Sequence, residues 1–168
     1  MFFLLFILFV ILQRLTELFI AKRNAKKMFS LGAVEFDETG YRAIVQLHVL
    51  FFLALFTEYY YLGRRLNSYW LLLLALFILA QFLRYWSIIS LGSSWNTRII
   101  ILRGSKLIKK GPYRYLSHPN YTAVVTEIAV IPLIFSCYIT ALIFSFLNLL
   151  ILRRRISIEE TKLKELNI

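Results

Sequence analysis

Apolar residues run along this chain in blocks, and polar residues are largely confined to the gaps between them. The first block, about residues 2–21, has roughly the 20 residues a helix needs to cross the hydrocarbon of a bilayer. Further blocks cover about residues 43–62 and 69–91, the former ending in Tyr59, Tyr60 and Tyr61 as an interfacial aromatic belt does. Two shorter blocks, about 120–135 and 138–152, lie so close together that only a helical hairpin can join them, with Pro132 near its turn. Each is short for a full crossing, so the pair is expected to be tilted or to have a shallow tip. The pattern predicts an all-α integral membrane protein with about five transmembrane helices, built as one membrane-embedded domain over residues 1–168. Its N-terminus is apolar from Phe2 without a basic leader, which reads as a retained first span rather than a cleaved signal peptide.

Polar residues inside the blocks are few and spaced for helix faces. Arg14 and Glu17 are three apart beside Gln13, so they share a face and can pair. Such a pair either anchors the helix at the interface or belongs to a polar face turned into a cavity. Gln81 and Arg84 repeat the spacing on the third helix, where a charge is expected to face protein rather than lipid. Glu127 is a functional candidate or a hydrogen-bonded structural residue. His48 reads as a satisfied packing residue, and Glu58 lies close enough to its helix end to be expected to reach water. Between the blocks, residues 32–40 read as an acidic loop bounded by Gly32 and Gly40. The alternation at residues 97–102 fits either a short strand or plain extended chain.

Charge orients the helices. With residues 22–42, 98–114 and the tail on one side, that side collects five, six and five Lys or Arg, against only Arg64 and Arg65 opposite. The positive-inside rule then predicts an outside N-terminus and a cytoplasmic C-terminus. This placement also explains the net charge of +11 without a nucleic-acid partner, because the bases flank apolar blocks and suit a bilayer surface.

The composition, 60% hydrophobic and 17% aromatic, exceeds what a soluble core of 168 residues can hide. A single cysteine, Cys137, excludes an intrachain disulfide and any zinc site built from paired cysteines; no metal site is expected.

The candidate chemistry lies in Gly111 to Tyr121, GPYRYLSHPNY, a polar, proline-punctuated passage immediately before the hairpin. The hairpin must return the chain to the same surface, placing Arg153 to Glu160 beside this passage. The two ends together offer His118, tyrosines, Arg114, three consecutive arginines and the pair Glu159 and Glu160. Arg155 and Glu159 are four apart, on one helix face.

GPYRYLSHPNY, an apolar hairpin and then RISIEETKL resemble the signature of the isoprenylcysteine carboxyl methyltransferase family, integral membrane enzymes that use S-adenosylmethionine. QRLTELFIAKRN and GAVE are similar to a bacterial branch of that family, so the likeness covers nearly the whole chain. The resemblance implies that His118, Pro119 and Tyr121 belong to a cofactor-binding element, with Gly111, Pro112 and Tyr113 supplying its turn. It further implies that Glu159 and Glu160 form an acidic pair and Arg155 the arginine before it, closing over the cofactor at residues 98–121 and 153–165. Ser117 and Ala123 depart from the family's common Arg and Gly, and both are small, so altered contacts rather than a lost site are expected.

The chemistry of S-adenosylmethionine fits these residue types. Its carboxylate suits His118, Arg114 or helix N-terminal amides, its ribose hydroxyls and ammonium suit Glu160, and its adenine suits an apolar wall such as Tyr113 or Leu116. The expected reaction is O-methylation of a lipophilic small-molecule acceptor reaching the site from the lipid bilayer. A carboxylate acceptor needs no base, whereas an acidic hydroxyl needs one, with Glu159 the candidate and Arg155 able to orient an anion. The expected location is a bacterial plasma membrane with the site on its cytoplasmic face. Two other readings are a membrane sterol or lipid reductase with a similar HPNY element and a reduced nicotinamide cofactor, and a non-enzymatic scaffold.

Overall fold

The computed structural model describes residues 1–105 and 107–166, and its helices follow the apolar blocks. Helices α1 (Phe2–Ser30), α2 (Glu38–Tyr61), α3 (Trp70–Leu91), α4 (Pro119–Ile134) and α5 (Tyr138–Glu165) account for most of the chain. Two three-residue strands, β1 (Val34–Phe36) and β2 (Ile99–Ile101), and two short 3₁₀ turns, Gly92–Ser94 and Gly111–Arg114, complete it.

Three helical stretches, Phe2–Ser30, Glu38–Tyr61 and Trp70–Ser94, are long and apolar enough to cross a membrane. The protein is an integral membrane protein. α4 is apolar but has only 16 residues, and α5 carries its apolar residues in its first half. A single buried stripe runs down α3 through Phe77, Ala80, Arg84 and Ser87. On its other faces Leu71, Leu72, Leu79 and Phe82 are all exposed, as side chains that meet lipid are.

The core is aromatic and aliphatic, joining Phe3, Phe6 and Val10 of α1 to Phe51 and Leu55 of α2, Phe77 of α3 and Ile128 and Ile131 of α4. Phe135, in the α4–α5 connection, lies edge-on to Phe3 and Phe6 with ring centroids at 4.9 and 5.6 Å. Ser136 turns the chain with φ of +56°, and the Cys137 amide donates back to Pro132 O at 2.9 Å. α4 and α5 therefore form a closed hairpin, as the spacing of the apolar blocks requires.

Three sequence expectations change. α1 continues past residue 21 to Ser30, because nothing in KRNAKKMFS stops a helix and Ala21, Ala25 and Met28 keep one face buried. The helix gives way just before Gly32, which adopts φ of +87°. The 32–40 segment is not a plain loop: β1 pairs antiparallel with β2, Val34 opposite Ile101 and Phe36 opposite Ile99. Asp37 then caps α2 by accepting from the Gly40 amide at 3.1 Å. The 97–102 segment is thus a strand where two readings were open. Glu58, expected to reach water, is instead buried. Its carboxylate accepts from the amides of Ile139 and Thr140 at 3.3 and 2.7 Å, from Thr140 Oγ1 at 2.7 Å, and pairs with Arg64 at 3.0 Å. It staples α2 to the start of α5, where the first helical amides lack internal partners. His48 is a satisfied residue as expected, its Nδ1 donating to Ile44 O at 2.7 Å.

The charged residues within α1, α3 and α4 meet in one buried cluster. Arg84 holds Glu127 with Nε at 3.0 Å from Oε1 and with Nη2 on Oε2, while its Nη1 lies 3.5 Å from Glu17 Oε2. Arg14 joins Glu17 to Glu127. Gln81 donates to Glu127 at 2.6 Å, and Gln13 donates to Glu17 at 3.1 Å. The Arg14 and Glu17 pair is therefore no isolated interfacial anchor. Two arginines neutralise two carboxylates, which is the arrangement that lets charge stay out of water.

Candidate active site

The local geometry of Gly111 decides where the polar passage sits. Gly111 has φ of +54°, and a Cβ there would lie 2.0 Å from Ser90 Oγ and 2.8 Å from Trp86 Nε1. Only glycine lets the turn Gly111–Arg114 press this closely against α3. Pro112 is buried behind the turn, and Tyr113 points into a cavity. Burial pushes the Tyr113 phenol up to about 12, against the smaller opposing effect of Ser87.

The cavity has a volume of about 310 Å³. Met28 of α1, Leu31 just after it, the segment around Trp95, β2 and Leu107 give it apolar walls. Ser117, His118, Asn120 and Tyr121 at the start of α4, with Glu159 and Leu163 of α5, close the remaining side.

α4 starts with His118 as its N-cap residue and Pro119 buried at the first helical position. His118 makes no side-chain capping bond, so the first amides of α4 have no side-chain partner there. Its imidazole is engaged elsewhere: Nε2 donates to Glu160 Oε1 at 3.1 Å, and Nδ1 is 4.0 Å from Glu159 Oε2. The ring stacks on Tyr121 with centroids 5.4 Å apart. Tyr121 donates its hydroxyl to Glu159 Oε2 at 2.7 Å. The hairpin thus does bring HPNY and the acidic pair together, through two direct hydrogen bonds between α4 and α5.

Arg155 stands behind this contact, 2% exposed, with Nη2 donating to Thr97 O at 3.0 Å. Its Nε and Nη1 are buried and have no partner among the described residues. Arg154 reaches the other way, to Asp37 at 3.1 Å.

Not every expected residue faces the cavity. Tyr113, His118, Tyr121 and Glu159 line it, while Gly111, Pro112 and Pro119 shape the backbone beside it. Glu160 reaches it only through His118, Arg155 lies behind the lining, and Arg114 is exposed outside. Trp95 and Asn120 are among the lining residues that were not singled out from the sequence. Trp95 is 1% exposed with an unpartnered Nε1, and Asn120 lies inside HPNY itself. The signal for Trp95 is a large aromatic residue in the otherwise polar SSWN, which Asn24 ties to α1 by donating to Trp95 O at 2.8 Å.

The set suits S-adenosylmethionine chemically: an uncapped helix start for a carboxylate, the Glu159 carboxylate for cationic and hydroxyl groups, and an apolar wall for a purine. The cavity volume lies at the lower end of the roughly 300–1,000 Å³ typical of small-molecule pockets. Among the described residues there is no cluster of three or more His, Cys, Asp or Glu able to hold a metal.

Residues 72–165 match the sequence model of the isoprenylcysteine carboxyl methyltransferase (ICMT) family. The chain is 41% identical over 164 residues to the uncharacterized protein YpbQ of Bacillus subtilis (strain 168), covering 98% of each chain. It is 28% identical over 154 residues to an uncharacterized protein of Haemophilus influenzae, covering 91% of this chain and 90% of that one. No solved structure matches it significantly.

Proposed function

Because the chain belongs to the isoprenylcysteine carboxyl methyltransferase family, we propose that it transfers a methyl group from S-adenosylmethionine to a carboxylate or acidic hydroxyl of a lipophilic acceptor drawn from the bilayer. The observation that carries this reading is the closure of the hairpin's open end over the cavity, His118 on Glu160 and Tyr121 on Glu159.

S-adenosylmethionine, when bound, supplies an electrophilic methyl group. The residues of the chain bind, align and manage protons. The uncapped start of α4 and its dipole favour a carboxylate. Glu160, which meets the cavity only through His118, holds that imidazole in the cavity wall. Ile99, Ile100 and Ile101 with Tyr113 give a purine an apolar surface. Glu159 is oriented by Tyr121 and takes the proton of a hydroxyl acceptor. An acceptor that is already anionic needs no base, and Arg155, behind the lining, favours it by its charge rather than by direct contact.

The distribution of Lys and Arg favours five crossings with the N-terminus outside and the cavity at the cytoplasmic surface of a bacterial plasma membrane. The paired state of Arg14, Glu17, Arg84 and Glu127 argues against an acceptor route through the helix interior past them. The apolar rim at Leu31 and Leu107 is the better entrance for a lipid tail.

The test is methyl transfer from labelled S-adenosylmethionine to a membrane lipid extract, with identification of the labelled product. A labelled lipid that disappears with the His118→Ala and Glu160→Ala variants supports the reading. Saturable binding of NADPH with none of S-adenosylmethionine overturns it in favour of a reductase.

A further inference from the structure

We infer that the buried ion cluster is also a positioning device for the cavity, acting through Arg84 on Asn120, whose side-chain nitrogen is a ligand-contacting donor. This rests on the reading of the cavity as the S-adenosylmethionine site. Asn120 lines the cavity on the first turn of α4, and its Oδ1 accepts from Arg84 Nη1 at 3.4 Å. The two polar ends of an amide point in different directions, so a guanidinium on the oxygen fixes the flip and turns Nδ2 away from Arg84. That nitrogen has no partner among the described residues, yet it is not one of the sealed, unpartnered atoms. With Asn120 in the cavity lining, the cavity is the space left for it to face.

Arg84 cannot swing to release the amide. Its side chain is 3% exposed, two of its nitrogens hold Glu127, and the third approaches Glu17, with Arg14 fixing both carboxylates. A buried ion cluster is not needed to hold helices together, since well-packed apolar residues of similar volume often do so equally well. Two arginines and two glutamates also cancel, so the cluster does not draw an anion by its charge. What the arrangement supplies is one donor held at a fixed place in the cavity wall. That donor fits a hydrogen-bond acceptor of the cofactor, a carboxylate oxygen or a purine ring nitrogen.

The test uses the full chain in detergent and S-adenosylhomocysteine as the probe, read by calorimetry with a thermal midpoint for each variant. Asn120→Ala is expected to weaken binding about tenfold with its midpoint unchanged. Arg84→Lys is expected to weaken it about threefold in the parent and no further on the Asn120→Ala background, since it acts through the amide. Parent-like binding by Asn120→Ala, or an equal Arg84→Lys loss on both backgrounds, overturns the inference while leaving the methyltransferase reading intact. No binding by the parent overturns both. Should Arg84→Lys fail to fold, Asn120→Asp decides: it keeps an oxygen for Arg84 but replaces the donor, so weakened binding supports the inference and full binding overturns it.

Discussion

Tyr121 donates its hydroxyl hydrogen to Glu159 across 2.7 Å, joining the first turn of α4 to the last third of α5 although 38 positions separate them. The bond leaves Glu159 in the cavity wall with one oxygen occupied and its orientation set. A carboxylate so held can accept a proton without first reorganising.

If Glu159 serves as the base, Glu159→Gln lowers turnover on a hydroxyl acceptor by about 10²-fold or more while leaving affinity for S-adenosylhomocysteine within about twofold. Turnover on a carboxylate acceptor stays near the parent rate. Single-turnover methyl transfer on the two acceptor classes checks this, and equal losses on both would remove Glu159 as the base.

Gly111→Ala must move either the turn or α3, because its Cβ would meet Ser90 Oγ at 2.0 Å in a backbone conformation with φ of +54°. The expected cost is about 1–3 kcal/mol of stability together with weaker cofactor binding, since Tyr113 rides on the same turn. Adding Ser90→Gly removes the contact with Ser90 but neither the 2.8 Å approach to Trp86 Nε1 nor the φ strain, so thermal unfolding should show partial recovery.

Glu127→Ala leaves Arg84 buried without its main partner. By comparison with other broken buried pairs, it should cost about 3–5 kcal/mol. Glu127→Gln keeps hydrogen bonding but loses the charge, and is expected to fall between. Unfolding midpoints in detergent order the three proteins as parent, Gln variant, Ala variant.

Burial raises the Tyr113 phenol from its usual value near 10 to about 12. The folded state therefore holds this proton more tightly than the unfolded chain does. Stability is unaffected below pH 10 and falls as pH rises from about 10 towards 12. Tyr113→Phe should lose less stability than the parent across that window, measured by thermal unfolding against pH.

The helices were legible because lipid forces backbone groups to bond locally, so a block of apolar residues has little choice but to be a helix. Non-local partners left no comparable trace. β1 and β2 are three residues each, and neither Val34 nor Ile101 announces the other across 67 positions. Glu58 read as an exposed helix-end residue because its partners, Ile139 and Thr140, lie on a helix that only the tertiary fold brings near. In the candidate site, His118, Tyr121, Glu159 and Glu160 could be grouped because a hairpin must return to the surface it left. Asn120 could not be separated from its neighbours, since its importance depends on Arg84, which carries no local signal of reaching α4.

The Glu58 staple makes α5 a lever clamped near one end. From Thr140 to Glu160 the helix runs roughly 30 Å, so a tilt of about 5° at the clamp carries Glu160 through roughly 2–3 Å. That displacement is enough to part the His118 and Tyr121 contacts while leaving the Phe135 end of the bundle still. The geometry of the clamp is thus felt at the cavity, where Arg154 on Asp37 and Arg155 on Thr97 O hold the far half of the same rod.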